Sequence, residues 1–332
     1  RAEGRERPVN EAHAPRFPKL DRGGGYESYY ARAVDPESGR AVWLRHTVHA
    51  AGGGEPPVGS IWLTLFGAGD GVRATKESTP DIAPSPAGDW IRIGGSSFGP
   101  NGVEGEIDGA RWSLRWESGE RELHHLPSPI LYRTPLPKTK PVSPLPAARI
   151  GGEVEIGDTR FELHSWPGMV GHNWGRQHAE RWIWLHGVAF EEHQGAWLDL
   201  VLGRVLVGTR VLPWIASGVL SLGEHRYRIG GLARRPQVDA SPAALSLVCG
   251  GSGSTSLALR AESPIQQTVV WRYADPDGSE HHVANCSAAA LEVQFRGRHG
   301  DEVMLTTRFG GAYELGMRET SHGLAVQPFS DP

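Results

Sequence analysis

From residue 59 to residue 307 the chain is cut repeatedly into apolar runs of six to nine residues, most of them closed off by Gly, Asp, Asn or Pro. GSIWLTLFG (59–67), ARWSLRW (110–116), RFELHSW (160–166), WIWLHGVAF (182–190), AWLDLVLG (196–203), TVVWRY (268–273) and EVMLTT (302–307) are examples. They favour β-branched and aromatic side chains, which suit a pleated half-buried surface, and they are too short for helices. No long stretch carries a capped 3.6-residue stripe; the single candidate helix, around Arg176–Arg181, is short. Three tight turns, Asp108-Gly109, Gly157-Asp158 and Gly223-Glu224, each lead into a strand with its aromatic and aliphatic residues on one face. The pattern predicts antiparallel meanders with one wet face. A chain made only of strands must protect its sheet edges, and closure does so. The expected fold class is therefore all-β, with two antiparallel β-barrels or strongly curved sheets.

A length of 332 residues favours two domains. Residues 1–22 are polar, hold Pro8, Pro15 and Pro18, and read as an irregular arm. The segment LPSPILYRTPLPKTKPVSPLP (126–146) is denser in proline, which removes backbone donors and fixes φ. It predicts an extended Pro-rich linker over 127–146, with an N-terminal barrel at 23–126 and a C-terminal barrel at 147–332.

Charge and composition exclude several classes. A net charge of −4 leaves no basic footprint for nucleic acid. No run approaches the roughly 18 apolar residues of a membrane span, so the expected location is cytoplasmic or membrane-peripheral. The chain opens on Arg1, and the compartment is left open by it. Cys249 and Cys286 read as two buried thiols rather than a disulfide framework. GSSFG (95–99) fits the G-x-S-x-G pattern, but Pro100-Asn101-Gly102 follows where a nucleophile elbow needs a helix. GAGDG (67–71) lacks the βαβ unit of a dinucleotide loop. No cofactor is expected.

The densest chemistry lies in GHNWGRQHAERWIWLHG (171–187), with three histidines and three tryptophans. His172, His178, His186 and His193, with Glu191 and Glu192, could form a metal-dependent site. They lack the helical i,i+4 or H-x-H spacing that presents two ligands together, so no metal is expected. Two strands read together say more. His172 and Trp174 share a strand face, as do Trp182 and Trp184, and as do Trp197 and Asp199. If the strands are neighbours, one interior receives an acid, an imidazole and several rings. Asp199 stands between Leu198 and Leu200, and burial would raise its pKa and keep it protonated as a general acid. Tryptophan faces nearby could stabilise a carbocation. The alternatives are that Asp199 faces solvent or bonds an arginine such as Arg204.

GHNWG, followed by WIWLHG and then WLDL, resembles the second-domain signature of the lipocalin-like carotenoid 1,2-hydratase (hydroxyneurosporene synthase), tocopherol-cyclase-like and AttH-like superfamily. YESYYARAVDPESG (26–39) resembles its early Glu-Ser-aromatic strand. The resemblance implies two lipocalin-like barrels around a large apolar ligand of isoprenoid or polyketide type. It implies cofactor-free, acid-assisted hydration or cyclisation, with Asp199 as proton donor and His172 orienting it or positioning water. Trp174, Trp197, Trp184, Glu27 and Tyr29 would contact substrate. Trp197 stands where a hydratase is expected to carry tyrosine, and Gly171 where an acid usually precedes the motif histidine. The competing function is a non-catalytic carrier or sensor of the AttH type. A peripheral membrane contact is compatible with either.

Overall fold

The computed structural model describes residues 13–17, 23–67, 71–84, 88–298 and 300–330. It is all-β: 61% of residues lie in strands, and the described residues hold no α-helix, only short 3-10 turns such as Pro129–Tyr132 and Ile265–Gln267. Twelve strands between Gly25 and Gly175 make one antiparallel sheet. Ten strands between Arg181 and Met317 make a second, and a short hairpin, Leu206–Val207 with Arg210–Val211, stands apart. Each sheet curls around its own apolar core, one with Leu44, Leu63, Phe98 and Trp112, the other with Leu185, Leu200, Leu259 and Leu315.

Alternation explains which strands are wet. Ala110–Glu117 alternates strictly, with every second residue exposed. Ala41–Ala50 is buried at all ten positions, because its second face meets the other sheet instead of water. Trp43, Trp62, Trp271 and Val219 form this inter-sheet layer.

The expected connector is corrected in part. Residues 127–138 are irregular around the Pro129–Tyr132 turn, but Thr139–Ile156 is an 18-residue strand inside the first sheet. It pairs with Thr159–Gly175 on one side and Ala110–Glu117 on the other. Its ladder shifts register between Val142 and Leu145 and again between Leu145 and Ala148. Pro144 and Pro146 fall inside these breaks, where no ladder donor is required. The chain therefore crosses between sheets at 176–180, not at 127–146. Most of the expected N-terminal arm lies outside the described residues. Of the part described, the Arg16 and Phe17 amides donate to Glu27 Oε2 at 2.7 and 2.9 Å, so it is tied down.

Candidate functional site

Strand Gly25–Val34 sorts the first sheet's chemistry onto two faces. Glu27 and Tyr29 point into the first core, while Tyr26, Tyr30 and Arg32 point towards the second sheet. On the second sheet, Trp182, Trp184, His186 and Asp199 point back. Between the sheets lies a cavity of about 380 Å³. Tyr26, Tyr30, Trp182, Trp184, Tyr273 and His178 form much of its wall, and Arg45, Asn173 and Glu314 supply polar groups.

Two glycines make room for the rings. A Cβ on Gly171 would sit 2.1 Å from Tyr30 Cζ, and one on Gly316 would sit 2.2 Å from the Trp182 indole. The motif position where an acid was expected is thus a shelf for Tyr30.

His178 is the best-oriented titratable group in the wall. Its ring stacks on Tyr26 at 4.0 Å and on Trp182 at 5.1 Å. Its Nδ1 lies 2.7 Å from Asp275 Oδ1, which also accepts the His178 amide at 2.7 Å. Burial pushes the Asp275 carboxyl up, but the bonds and charge of His178 outweigh it and hold Asp275 below its ordinary range. An ionised Asp275 keeps the hydrogen on Nδ1, so Nε2 is the nitrogen left for exchange, and it has no hydrogen bond among the described residues. His281 completes the group, with Nδ1 3.6 Å from Asp275 Oδ2. Burial lowers its pKa to about 4. His178, Asp275 and His281 bring ligand-type atoms within 4.8 Å of one another, so this trio could hold a cation. The run from His172 to His193 does not form one site: His186 bonds Arg32 and the Pro146 carbonyl, and His193 sits in a loop.

The Tyr30 phenol stays protonated. Burial, then the charges of Asp199 and Glu314, raise its pKa far above the ordinary value. Glu314 accepts from Trp182 Nε1 at 2.9 Å and from Asn285 Nδ2 at 3.1 Å.

Asp199 is fully buried, as its place between leucines implied, but it lies behind the cavity wall. It accepts from Ser143 Oγ at 2.5 Å and Trp184 Nε1 at 3.2 Å, with His125 Nε2 at 3.5 Å. Burial pushes its pKa up, yet His125 and the Ser143 hydroxyl outweigh that and hold it below the ordinary carboxylate value. The expectation of a carboxyl kept protonated by burial is corrected: donors surround it. Arg204 is not its partner and donates to the Leu212 carbonyl.

The expected grouping of Asp199 with His172 does not form. His172 bonds Glu27 Oε1 at 2.9 Å and lies between Tyr29 and Trp174, at 4.1 and 4.8 Å, on the first sheet's inner face. The reason is pairing. Strand Thr159–Gly175 neighbours Gly25–Val34 and Thr139–Ile156, and never the strands carrying Trp184 or Asp199. Glu27, Tyr29, His172 and Trp174 thus make a separate buried group. Trp197 shares the face of Asp199 but packs under the Arg226 guanidinium at 5.0 Å, away from the cavity wall. Of the expected contacts only Trp184 lines the cavity. Tyr30, His178 as a base and Asp275 were missed. Tyr30 was one alternation step from Tyr29, whereas Asp275 stands in ADPDGSE, which reads only as a turn. Cys249 and Cys286 are buried free thiols.

No protein-family model matches the chain. An uncharacterized protein of Mycobacterium tuberculosis is 28% identical over 312 residues, which cover 90% of this chain and 88% of the relative. Three solved structures superpose over most of the chain. CghA with Sch210972 has a TM-score of 0.59 at 10% identity, covering 89% of this chain and 88% of CghA. A putative AttH from Nitrosomonas europaea has a TM-score of 0.54 at 10% identity, covering 96% and 98%. Kievitone hydratase from Nectria haematococca has a TM-score of 0.51 at 8% identity, covering 87% and 88%. The fold is lipocalin-like, of the AttH type. At these identities the likeness is one of fold, and the chemistry must be argued from the residues of this chain.

Proposed function

We propose that this protein binds an apolar small molecule, of isoprenoid or polyketide type, between its sheets and hydrates or cyclises it without a cofactor. The observation that carries the reading is the clamped His178: ring faces on both sides, a carboxylate on Nδ1, and Nε2 unbonded in a cavity wall. An imidazole oriented this way is built to exchange a proton. In a hydration, Nε2 takes a proton from water as the water oxygen bonds to the far carbon of an alkene conjugated to a carbonyl; the π electrons move onto the carbonyl oxygen, and the proton is returned to the carbon next to the carbonyl. The neutral Tyr30 phenol donates a hydrogen bond to a substrate oxygen. Tyr26, Trp182 and Trp184 give an apolar substrate ring faces to pack against. Asp199 holds Trp184 in place through the indole N–H and acts as a positioning residue. CghA, solved with Sch210972, and kievitone hydratase share the fold, which supports small-molecule chemistry of this general kind.

The carrier reading has its own support, since Asp199, the acid expected to work, does not reach the cavity. Mass spectrometry of lipids co-purifying with the wild type and with His178→Asn separates the two. An enzyme yields product from the wild type and unreacted substrate from the variant. A carrier yields the same molecule from both.

A further inference from the structure

We propose that the mouth of the inter-sheet cavity docks on an anionic lipid surface. Three segments form this rim: 126–138, 203–214 and 231–236. Leu131, Leu136, Pro137, Val205 and Leu232 come from these segments and line the cavity itself. Their neighbours turn outward. Leu232 is 76% exposed and Ile130 63%, and Leu136, Leu206, Val207, Val211 and Leu212 are exposed as well. The Leu212 amide donates to the Val205 carbonyl at 2.9 Å, which ties the short hairpin to the rim. Single exposed leucines need no explanation, but a collar of them around one apolar opening does.

The charge of the rim names the occupant. The three segments contain Arg133, Lys138, Arg204, Arg210, Arg234 and Arg235, and no Asp or Glu. The whole chain has 34 basic and 38 acidic residues, so the rim runs against the protein's own balance. Among the described residues, none of the six pairs with a carboxylate. Arg204 and Arg234 donate to backbone carbonyls and Lys138 to the Gln177 side chain. The acids at the margin are engaged elsewhere: Glu180 with Arg318, and Asp277 with Ser279 and Gln177. Apolar side chains that dip into a bilayer, ringed by unpaired cations, fit anionic headgroups. A docked mouth would let an apolar ligand pass from bilayer to cavity without crossing water. This inference goes beyond the proposed chemistry and does not depend on it.

The test is co-sedimentation of the full chain with phosphatidylcholine vesicles, with and without phosphatidylglycerol. Binding is expected only with the anionic lipid and should fall as salt is raised. Arg210→Glu, Arg234→Glu and Arg235→Glu together should lower partitioning by at least about 100-fold, from roughly five-fold per lost cation. Leu136→Ser, Leu206→Ser and Leu232→Ser together should release the protein as well. All six positions are exposed, and melting curves confirm that the variants fold. The proposal is overturned if the wild type binds neither vesicle, or if the charge-reversed variant binds as well as the wild type. It is also overturned if the serine variant abolishes only self-association in size-exclusion chromatography and leaves vesicle binding intact, which would assign the collar to a second copy of the chain.

Discussion

His178 Nδ1 and Asp275 Oδ1 meet at 2.7 Å although 97 residues separate them in the chain. The contact joins the crossing between the sheets to the turn after strand Val269–Ala274. If the pair is the acid–base unit, His178→Gln and Asp275→Asn should each lower kcat by roughly 10²–10⁴ while ligand affinity holds. Turnover assays beside equilibrium binding check this. Wild-type turnover in both variants would remove the pair from the chemistry. Stoichiometric metal in the wild type, lost in the variants, would make the trio with His281 a cation site instead.

Asp199→Asn should act on stability. Ser143 and His125 now face one carboxylate oxygen and Trp184 donates to the other, so the NH2 of an amide, whichever way it turns, sets hydrogens against at least one of these donors. Leaving such buried donors unmatched costs about 1–3 kcal/mol. Denaturant melts should show that loss, with turnover of the folded fraction within a few-fold of wild type. Unchanged stability with turnover down by roughly 10² or more would restore Asp199 as the general acid.

Arg32→Met should loosen the two sheets. The Arg32 guanidinium, fully buried, donates to the Ser287 carbonyl at 2.7 Å and the Gly310 and Gly311 carbonyls at 3.0 and 2.8 Å, and contacts His186 Nδ1 at 3.0 Å. The strands Glu280–Arg296 and Glu302–Met317 shift register between Cys286 and Leu291. The break turns carbonyls out of the ladder, and Arg32 of the other sheet caps them. Methionine keeps the apolar stem but leaves several buried acceptors unmatched. A loss of about 3–5 kcal/mol is expected in urea unfolding. A variant within 1 kcal/mol of wild type would show that water replaces the guanidinium.

Gly171→Ala should empty part of the cavity wall, because the new methyl occupies the place of the Tyr30 ring. Ligand affinity should fall with little loss of β-structure by circular dichroism. Unchanged affinity would mean that Tyr30 does not contact the ligand.

Stability should fall as pH drops from 6.5 towards 4. Burial lowers His46 to about 3; burial and then Arg32 lower His186 to about 4; burial and then His178 lower His281 to about 4. Above 6.5 these rings are neutral folded and unfolded, so stability is at its full value. Below 6.5 the unfolded chain takes up protons that the folded chain refuses, and stability drops until the folded values are reached. Asp199 and Asp275, both lowered, extend the loss further into acid. Melting curves should show a fall on the order of 10 °C across this window. A flat or rising Tm would contradict neutral buried rings.

The fold class was legible because strand periodicity and turn residues are local. Ala110–Glu117 alternates in burial as it alternates in sequence. The burial of Asp199 was legible for the same reason, from the leucines on either side. The proline segment misled because a proline excludes only a ladder hydrogen bond at its own nitrogen. Whether a bulge meets that condition depends on the partner strand, and here Thr159–Gly175 supplies the register breaks around Pro144 and Pro146.

The faces shared by His172 with Trp174, and by Trp197 with Asp199, also follow from a period of two. Which core each face meets does not. Strand pairing across distant segments sent His172 to Glu27 and Asp199 to Ser143. The same pairing decided the protonation of Asp199, since burial raises a carboxyl's pKa and facing donors lower it, and those donors are His125 and, 56 residues away, Ser143. A sequence states which side chains will leave water. Only the tertiary structure decides what meets them when they do.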